Sequence, residues 1–387
     1  MRILIAAERI GRAGGMERYL EIVLPALVAR GAQVHVLARE LGTLPRGVTG
    51  ERIGWADEHD APASAARADV LRALAAFAPD VAVAHNVMDA GIVEALAAAP
   101  RVAYHVHDHR AFCPNGDRVF PRSGRICTLP LGRPCAVHSL TDGCAYGPRR
   151  RTLTLIRRRE RLRDAIAAAQ TVVTASHYVA DRALQNAIPR VALTVIPLPL
   201  ADDAYAVHPH APARGTIVFA GRIVPQKGLA SLVRAVASIP PKRRPAVRAF
   251  GEGPALAEVR VEAKRLGVAL HAAGAVSHAA LRSAMDGAAL IALPSLWAEP
   301  FGYVGLEALA RGRPVVAYDV GGVRAWLDDG ANGVAVEAGD ERALGAALDA
   351  LLHDDARRAR LGEHARADAE LYRVAPIADA LLTAYRG

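Results

Sequence analysis

Residues 1–38 read MRILIAAERIGRAGGMERYLEIVLPALVARGAQVHVLA, and this stretch decides the fold. Met1–Ala7 is apolar, β-branched in part and followed by a glycine turn, the pattern of a buried strand. From Met16 onward, Tyr19, Leu20, Val23, Leu24, Leu27 and Val28 fall at helical spacing until Gly31 stops them. Gln33–Ala38 is again a strand. Strand, helix and strand in this order make a βαβ unit, whose two strands are parallel.

The order recurs downstream with a helix at Asp69–Phe77, a strand at Val81–Ala84, a helix at Ala90–Ala98 and a strand at Val102–His107. Such alternation implies a parallel sheet covered on both faces. Between Asp108 and Arg149 the periodicity breaks, and Cys, Pro and Gly concentrate. A helix at Leu153–Ala169 and strands at Thr171–Thr174 and Leu193–Ile196 follow. Pro197, Pro199, Pro209 and Pro212 then mark a linker, with a domain boundary near residue 205. A second α/β series runs through Thr216–Ala220, Leu229–Val236, Ala246–Phe250, Ala255–Leu266, Ala289–Leu293 and Pro314–Tyr318, and helices from Glu341 and Asp355 close it. After Pro376, which is read as breaking the preceding helix, Ile377, Leu381, Leu382 and Tyr385 make one apolar helix face. The expected fold is therefore α/β, with two Rossmann-like domains, 1–204 and 205–375, facing each other across a ligand cleft and helix 377–387 packing back on the first.

The chain has 387 residues, 52% hydrophobic and 22% charged, enough for two packed domains and too apolar for disorder. Its net charge of +9 suits phosphate-bearing partners. Lys227, Lys242 and Lys264 are its only lysines, so a lysine within a motif carries weight. No apolar run reaches the roughly 18 residues of a spanning helix, and the apolar start is too short for a signal peptide. A cytoplasmic protein, peripheral at most on the inner face of the membrane, is expected.

Three segments carry chemistry. Gly11-Arg12-Ala13-Gly14-Gly15 links a strand to a helix, where glycines let backbone approach a phosphate. Gly221-Arg222-Ile223-Val224-Pro225-Gln226-Lys227-Gly228 sets two cations at a strand end, positioned to neutralise a diphosphate. Glu299-Pro300-Phe301-Gly302-Tyr303-Val304-Gly305-Leu306-Glu307 follows a buried strand and opens a helix near Gly302, with amides for an anion and carboxylates for hydroxyls. A fourth feature is the crowding of His105, His107 and His109 at one strand end, beside Asp108, which could orient an imidazole.

In Gly14-Gly15, in Arg222 and Lys227 of G-R-x-x-x-x-K-G, and in Glu299 and Glu307 of E-x7-E, the chain resembles glycosyltransferase family 4, of the GT-B fold. The resemblance implies that Arg222 and Lys227 hold the donor diphosphate, that Glu307 binds the ribose, and that Glu299 contacts the transferred sugar beside the Phe301 and Gly302 backbone. It matches Gly251-Glu252-Gly253-Pro254 to a donor-domain turn and Val276-Ser277 to a base-contacting loop, although both also read as ordinary turns. It matches His107 to the active-site histidine, with His105 and His109 as the alternative registers. Retaining chemistry is implied, with the diphosphate leaving and the acceptor entering on one face and no cofactor needed for catalysis. The implied partners are a nucleotide-diphosphate sugar and a saccharide or lipid-linked saccharide acceptor in bacterial cell-surface glycan synthesis. The rival readings are a non-hydrolysing nucleotide-sugar epimerase, and a basic lipid- or nucleic-acid-binding protein with a decayed sugar site. The complete Arg222, Lys227, Glu299 and Glu307 set argues against decay, and no nucleic-acid-binding motif accompanies the charge.

All four cysteines, Cys113, Cys127, Cys135 and Cys144, fall in the irregular segment. They are expected to bind a structural zinc that orders Phe112–Tyr146, with disulfides or free thiols as the alternatives. Arg149–Arg151, Arg157–Arg159, Arg161 and Arg163 lie on a helix that also carries Leu153, Leu155, Ile156 and Leu162. This helix reads as a contact with anionic membrane or as a solvated basic face.

Overall fold

The computed structural model describes residues 1–11, 14–55, 64–144, 149–206 and 215–387. The chain forms two compact units, Met1–Pro199 with Val374–Gly387, and Leu200–Arg373.

In the first unit, strands β1 (Arg2–Ile10), β2 (Gln33–Leu41), β3 (Val48–Arg52), β4 (Val81–His85), β5 (Val102–Val106), β6 (Thr171–Thr174) and β7 (Leu193–Val195) form a sheet in the order β3-β2-β1-β4-β5-β6-β7. Every pairing is parallel, as in Ile3↔Val34 and Ile3↔Val81. Helices α1 (Gly15–Ala29), α2 (Ser64–Phe77), α3 (Ala90–Leu96), α4 (Arg133–Thr141), α5 (Arg149–Ala167) and α6 (His177–Gln185) complete its α/β alternation. With helices on both faces the strands are buried on both sides, so β4, β5 and β6 are buried along their whole length. Val70, Leu96, Tyr104, Leu162 and Ile166 pack with Leu4 in the core.

Strand order reverses between β1 and β4, because β2 lies on one side of β1 and β4 on the other. Ligands of open α/β sheets bind at such a switch point, beyond the carboxyl ends of the strands. The end of β1, His85 of β4 and the residues after β5 meet there.

The second unit repeats the plan with β8 (Thr216–Ala220), β9 (Ala246–Phe250), β10 (Leu270–Ala272), β11 (Leu290–Leu293), β12 (Val315–Tyr318) and β13 (Gly333–Val336), ordered β10-β9-β8-β11-β12-β13 and parallel throughout. Helices α7 (Leu229–Ala237), α8 (Leu256–Leu266), α9 (His278–Asp286), α10 (Tyr303–Ala310), α11 (Glu341–Leu352) and α12 (Asp355–Ala369) accompany it. Its switch point lies between β8 and β11, so the loops after these two strands flank one crevice.

The unit boundary falls after Pro199 rather than near residue 205. Leu200 N–H donates to Tyr372 O at 2.7 Å, and Tyr205 Oη to Ala369 O at 2.7 Å. Arg311, itself buried against Asp286, donates to Ala204 O at 3.1 Å and Ala206 O at 3.0 Å. These bonds tie residues 200–206 to the second unit. The proline-marked stretch His208–Arg214 lies outside the described residues.

The last helix, α13 (Val374–Arg386), starts before Pro376, which occupies its first turn instead of breaking the helix before it. Amides of a first turn have no partner within their helix, so proline costs little there. In α13, Ile377, Ala378, Leu381, Leu382 and Tyr385 are buried. Arg30, the C-cap of α1, pairs with Asp379 and donates to Ala375 O, and Thr171 Oγ1 donates to Ala384 O at 3.1 Å.

Candidate functional site

In the second unit, the loop after β8 and the loop after β11 are fastened to each other. Leu296 N–H donates to Gln226 O at 2.8 Å. Gly228 adopts φ +73°, and a Cβ there would lie 1.8 Å from Pro294 O, so only glycine lets the two backbones meet. Behind them, Gly251 at φ +130° leaves room for Gly221 O, which a Cβ would approach to 2.0 Å. The turn Gly251–Pro254 thus buttresses the Arg222 loop, and Ile223 N–H donates to Glu252 O at 2.7 Å.

This stitching brings together two residues 72 positions apart. Lys227 Nζ donates to Glu299 Oε1 at 2.5 Å. Ser295 Oγ donates to the same oxygen at 2.6 Å, and the ammonium lies 5.0 Å from the Trp297 ring centroid. Burial pushes the Glu299 carboxyl up, but the Lys227 charge and hydrogen bonds from Lys227, Ser295 and Trp297 outweigh it and hold the group below the ordinary carboxylate range. Glu299 is an anion at neutral pH. Arg222, by contrast, is exposed and makes no ion pair among the described residues.

Helix α10 begins after Gly302, and no side chain caps its N-terminus. Phe301 is buried, and its carbonyl accepts from Trp326 Nε1 at 2.7 Å. Glu307 is buried in α10, and His278 Nδ1 of α9 stands 3.8 Å from Glu307 Oε1. Val276 is 39% exposed, while Ser277 caps α9 by accepting from Ala280 N–H at 3.2 Å. Ser277 is thereby occupied as a helix cap.

In the first unit, Gly14 and Gly15 open α1, and among the described residues a Cβ built on Gly15 would meet nothing within 4 Å beyond its chain neighbours and its own helix backbone. Arg12 and Ala13 of this loop lie outside the described residues. Of the three crowded histidines, His105 and His109 are buried and His107 is half-buried. His105 Nε2 meets Tyr385 Oη of α13 at 2.7 Å, a contact that fastens the last helix. His109 packs edge-on against Tyr178. His107 Nε2 meets His85 Nδ1 at 2.9 Å, its amide donates to Asn86 Oδ1 at 3.0 Å, and Tyr19 lies edge-on at 4.8 Å.

The partner that orients the His107 ring is therefore His85 and not Asp108. Asp108 instead accepts from Asn86 Nδ2 at 2.8 Å and from Arg110 Nε at 2.9 Å, and Arg110 Nη1 donates to Glu8 Oε2 at 3.2 Å. Burial lowers His107 to about 4, with Asp108 raising it in part and Arg110 lowering it further. Its imidazole is neutral at pH 7 and can donate or accept one hydrogen bond without carrying charge. His85, Asn86, Glu8 and Arg110 were missed by sequence reasoning. The signal was available in His85-Asn86 at the carboxyl end of β4, where Asn86 turns the chain at φ +50°. Among the described residues, His85, His105 and His107 also offer three potential metal-ligand nitrogens within 4.8 Å of one another.

The four cysteines are free thiols that line one cavity of about 30 Å³, together with Arg118 and Ile156. On α5, Arg159 is buried, Arg161 is exposed but pairs with Glu94 at 2.5 Å, and Arg150, Arg151 and Arg157 are exposed.

Residues 13–203 match the family model described as Glycosyltransferase Family 4, and residues 203–368 match Glycosyl transferases group 1. The chain belongs to glycosyltransferase family 4. Among curated proteins of this family it is 39% identical over 175 residues to D-inositol 3-phosphate glycosyltransferase of Xylanimonas cellulosilytica, an alignment covering 44% of this chain and 41% of that protein. It is 30% identical over 177 residues to alpha-D-kanosaminyltransferase of Streptomyces kanamyceticus, covering 45% and 46%. The chain thus matches less than half the length of these relatives. Anabaena HepE, solved in complex with UDP, superposes with a TM-score of 0.75 at 20% identity over 99% of both chains. WaaG, a glycosyltransferase involved in lipopolysaccharide biosynthesis, superposes with 0.70 at 16% identity over 100% of both. These likenesses show the fold, an α/β GT-B architecture of two Rossmann-like domains. Among the described residues, no helix is long and apolar enough to cross a membrane.

Proposed function

We propose that this chain is a retaining glycosyltransferase that moves a sugar from a nucleotide-diphosphate sugar to a saccharide or lipid-linked saccharide acceptor. The observation that carries the reading is the Lys227–Glu299 pair at the switch point of the second unit, flanked by exposed Arg222 and the uncapped start of α10. Departure of a nucleoside diphosphate builds negative charge, and two cations with a helix N-terminus supply what that charge needs. Lys227 serves two partners in this reading: it holds Glu299 in place against the sugar and meets the diphosphate beside Arg222. Glu307 takes the ribose hydroxyls, and Val276 borders the base. His107, neutral and steered by His85, accepts or donates one hydrogen bond to the transferred sugar, and the open space at Gly15 admits the donor or acceptor.

The relative named for D-inositol 3-phosphate supports a polar hydroxylated acceptor, and the one named for the kanosaminyl group supports transfer of a sugar. The UDP of HepE supports a nucleotide donor. Exposed Arg150, Arg151 and Arg157 beside Leu153, 47% exposed, and Val137 and Leu140 of the neighbouring α4 support peripheral contact with an anionic membrane carrying such an acceptor.

A thermal-shift screen against UDP, GDP and ADP sugars tests the donor half. One nucleotide class should raise the melting temperature, by the stabilisation that any native-state ligand confers, and lose this effect in Arg222→Ala. No shift with any nucleotide sugar would refute the reading.

A further inference from the structure

We infer that Cys113, Cys127, Cys135 and Cys144 form a structural zinc site that braces the segment between β5 and α5. The inference stands on the first unit alone and does not depend on the transferase reading.

The chain has four cysteines, and all four line the same cavity of about 30 Å³ although they arrive from separate pieces of backbone. Cys113 lies in the turn after β5, Cys127 follows the Val119↔Ile126 bridge, Cys135 sits in the first turns of α4, and Cys144 comes just beyond that helix. All four are free thiols.

Arg118 supplies a second, independent observation. Its side chain is 2% exposed, lines the cavity and donates to Cys127 O at 3.1 Å and Leu129 O at 3.0 Å. Among the described residues no carboxylate faces it. A buried cation without an anion is costly. Four thiolates around one divalent zinc carry a net double negative charge, which gives the Arg118 guanidinium its counter-charge.

The segment also needs a brace. Helix α4 has no buried residue, and its Val137 and Leu140 are 56% and 54% exposed, so apolar burial holds it only weakly. All four cysteines line the same small cavity. Zinc–sulfur bonds of about 2.3 Å would draw them inward. As each Zn–S bond forms, one S–H proton passes to solvent, so loading releases protons and is favoured by rising pH.

Elemental analysis of the purified full chain should find about one zinc per chain, the content of a single four-ligand site. Intact mass should show no loss of hydrogens to disulfides. Cobalt exchanged into the site should give thiolate-to-metal charge-transfer absorption, and Cys127→Ser should weaken that band. Chelation of the wild-type protein should lower its melting temperature and open all four thiols to alkylation, a readout that needs no variant to fold. Zinc far below one per chain in protein whose thiols already alkylate in the native state would overturn the inference. Disulfides in the intact mass, or cobalt spectra without thiolate absorption, would overturn it equally.

Discussion

Replacing Lys227 by Met deletes the ammonium that faces Glu299 while keeping the alkyl chain. The side chains of the pair are 22% and 11% exposed, so the pair lies between surface and interior. Surface pairs contribute about 0–1 kcal/mol, and removing one partner of a buried pair costs about 3–5 kcal/mol. A loss of about 2 kcal/mol is expected for this intermediate burial. In a domain of this size each kcal/mol moves the melting temperature by about 2–4 °C, so a fall of about 4–8 °C should be seen. The pH dependence is the sharper part. In the wild type the Glu299 carboxyl is held below its ordinary value, so its contribution is present above the unfolded-state pKa and is lost as pH falls through the folded one. In the variant, burial remains while the balancing charge is gone, and the carboxyl should rise. The stability gap between wild type and Lys227→Met should therefore be widest near neutral pH and narrow in acid. Urea denaturation at several pH values measures it. Adding Glu299→Gln to Lys227→Met should restore most of the loss by removing the stranded anion. A gap independent of pH, or a double variant no more stable than the single one, would refute the reasoning.

Arg222→Ala should behave differently, because the guanidinium is exposed and unpaired among the described residues: stability should stay within about 0.5 kcal/mol, while sugar transfer falls about a hundredfold or more, checked by melting and by initial rates on the donor found in the screen. His85, His105 and His107 are all held below the ordinary imidazole range, chiefly by burial, so the unfolded chain binds more protons and stability should fall as pH drops below about 6.5. Denaturation midpoints from pH 7.5 down to 4.5, about the span over which the unfolded imidazoles charge, would show this, and a flat profile would contradict it. Tyr385→Phe strands the buried His105 Nε2 and should cost about 1–3 kcal/mol. Truncation after Arg373 should go further and render the chain insoluble by baring the α1 face that α13 covers.

The α/β class and the strands of both sheets were legible because buried parallel strands are continuous apolar runs, as in Val81–His85 and Thr216–Ala220. The elements missed are those without that signature. Strand β3, VTGER, is a half-exposed edge that exists by pairing Val48 with Val34, and β10 and β13 are likewise short edge strands. Helix α4 lacks an apolar stripe altogether. At the candidate site, the motifs named Lys227 and Glu299, but their ion pair depends on backbone contacts such as Gly228 against Pro294, which no local pattern reveals. His85 escaped because its role depends on register: β4 and β5 set His85 opposite His105, and His107 follows at the rim.

The first unit is discontinuous in the chain, and this has a consequence for synthesis. His105 emerges from the ribosome long before its hydrogen-bond partner Tyr385, 280 residues later. At about 5–20 residues per second, translation of the intervening chain takes roughly 14–56 s. During that interval the second unit can fold as a self-contained insert, while α1 still presents the apolar surface that α13 will cover. The nascent protein thus carries a sticky, unfinished first unit until α13 is made. Its yield in cells should respond to chaperone supply and to the speed at which the codons between His105 and Tyr385 are read more than to the stability of the finished fold.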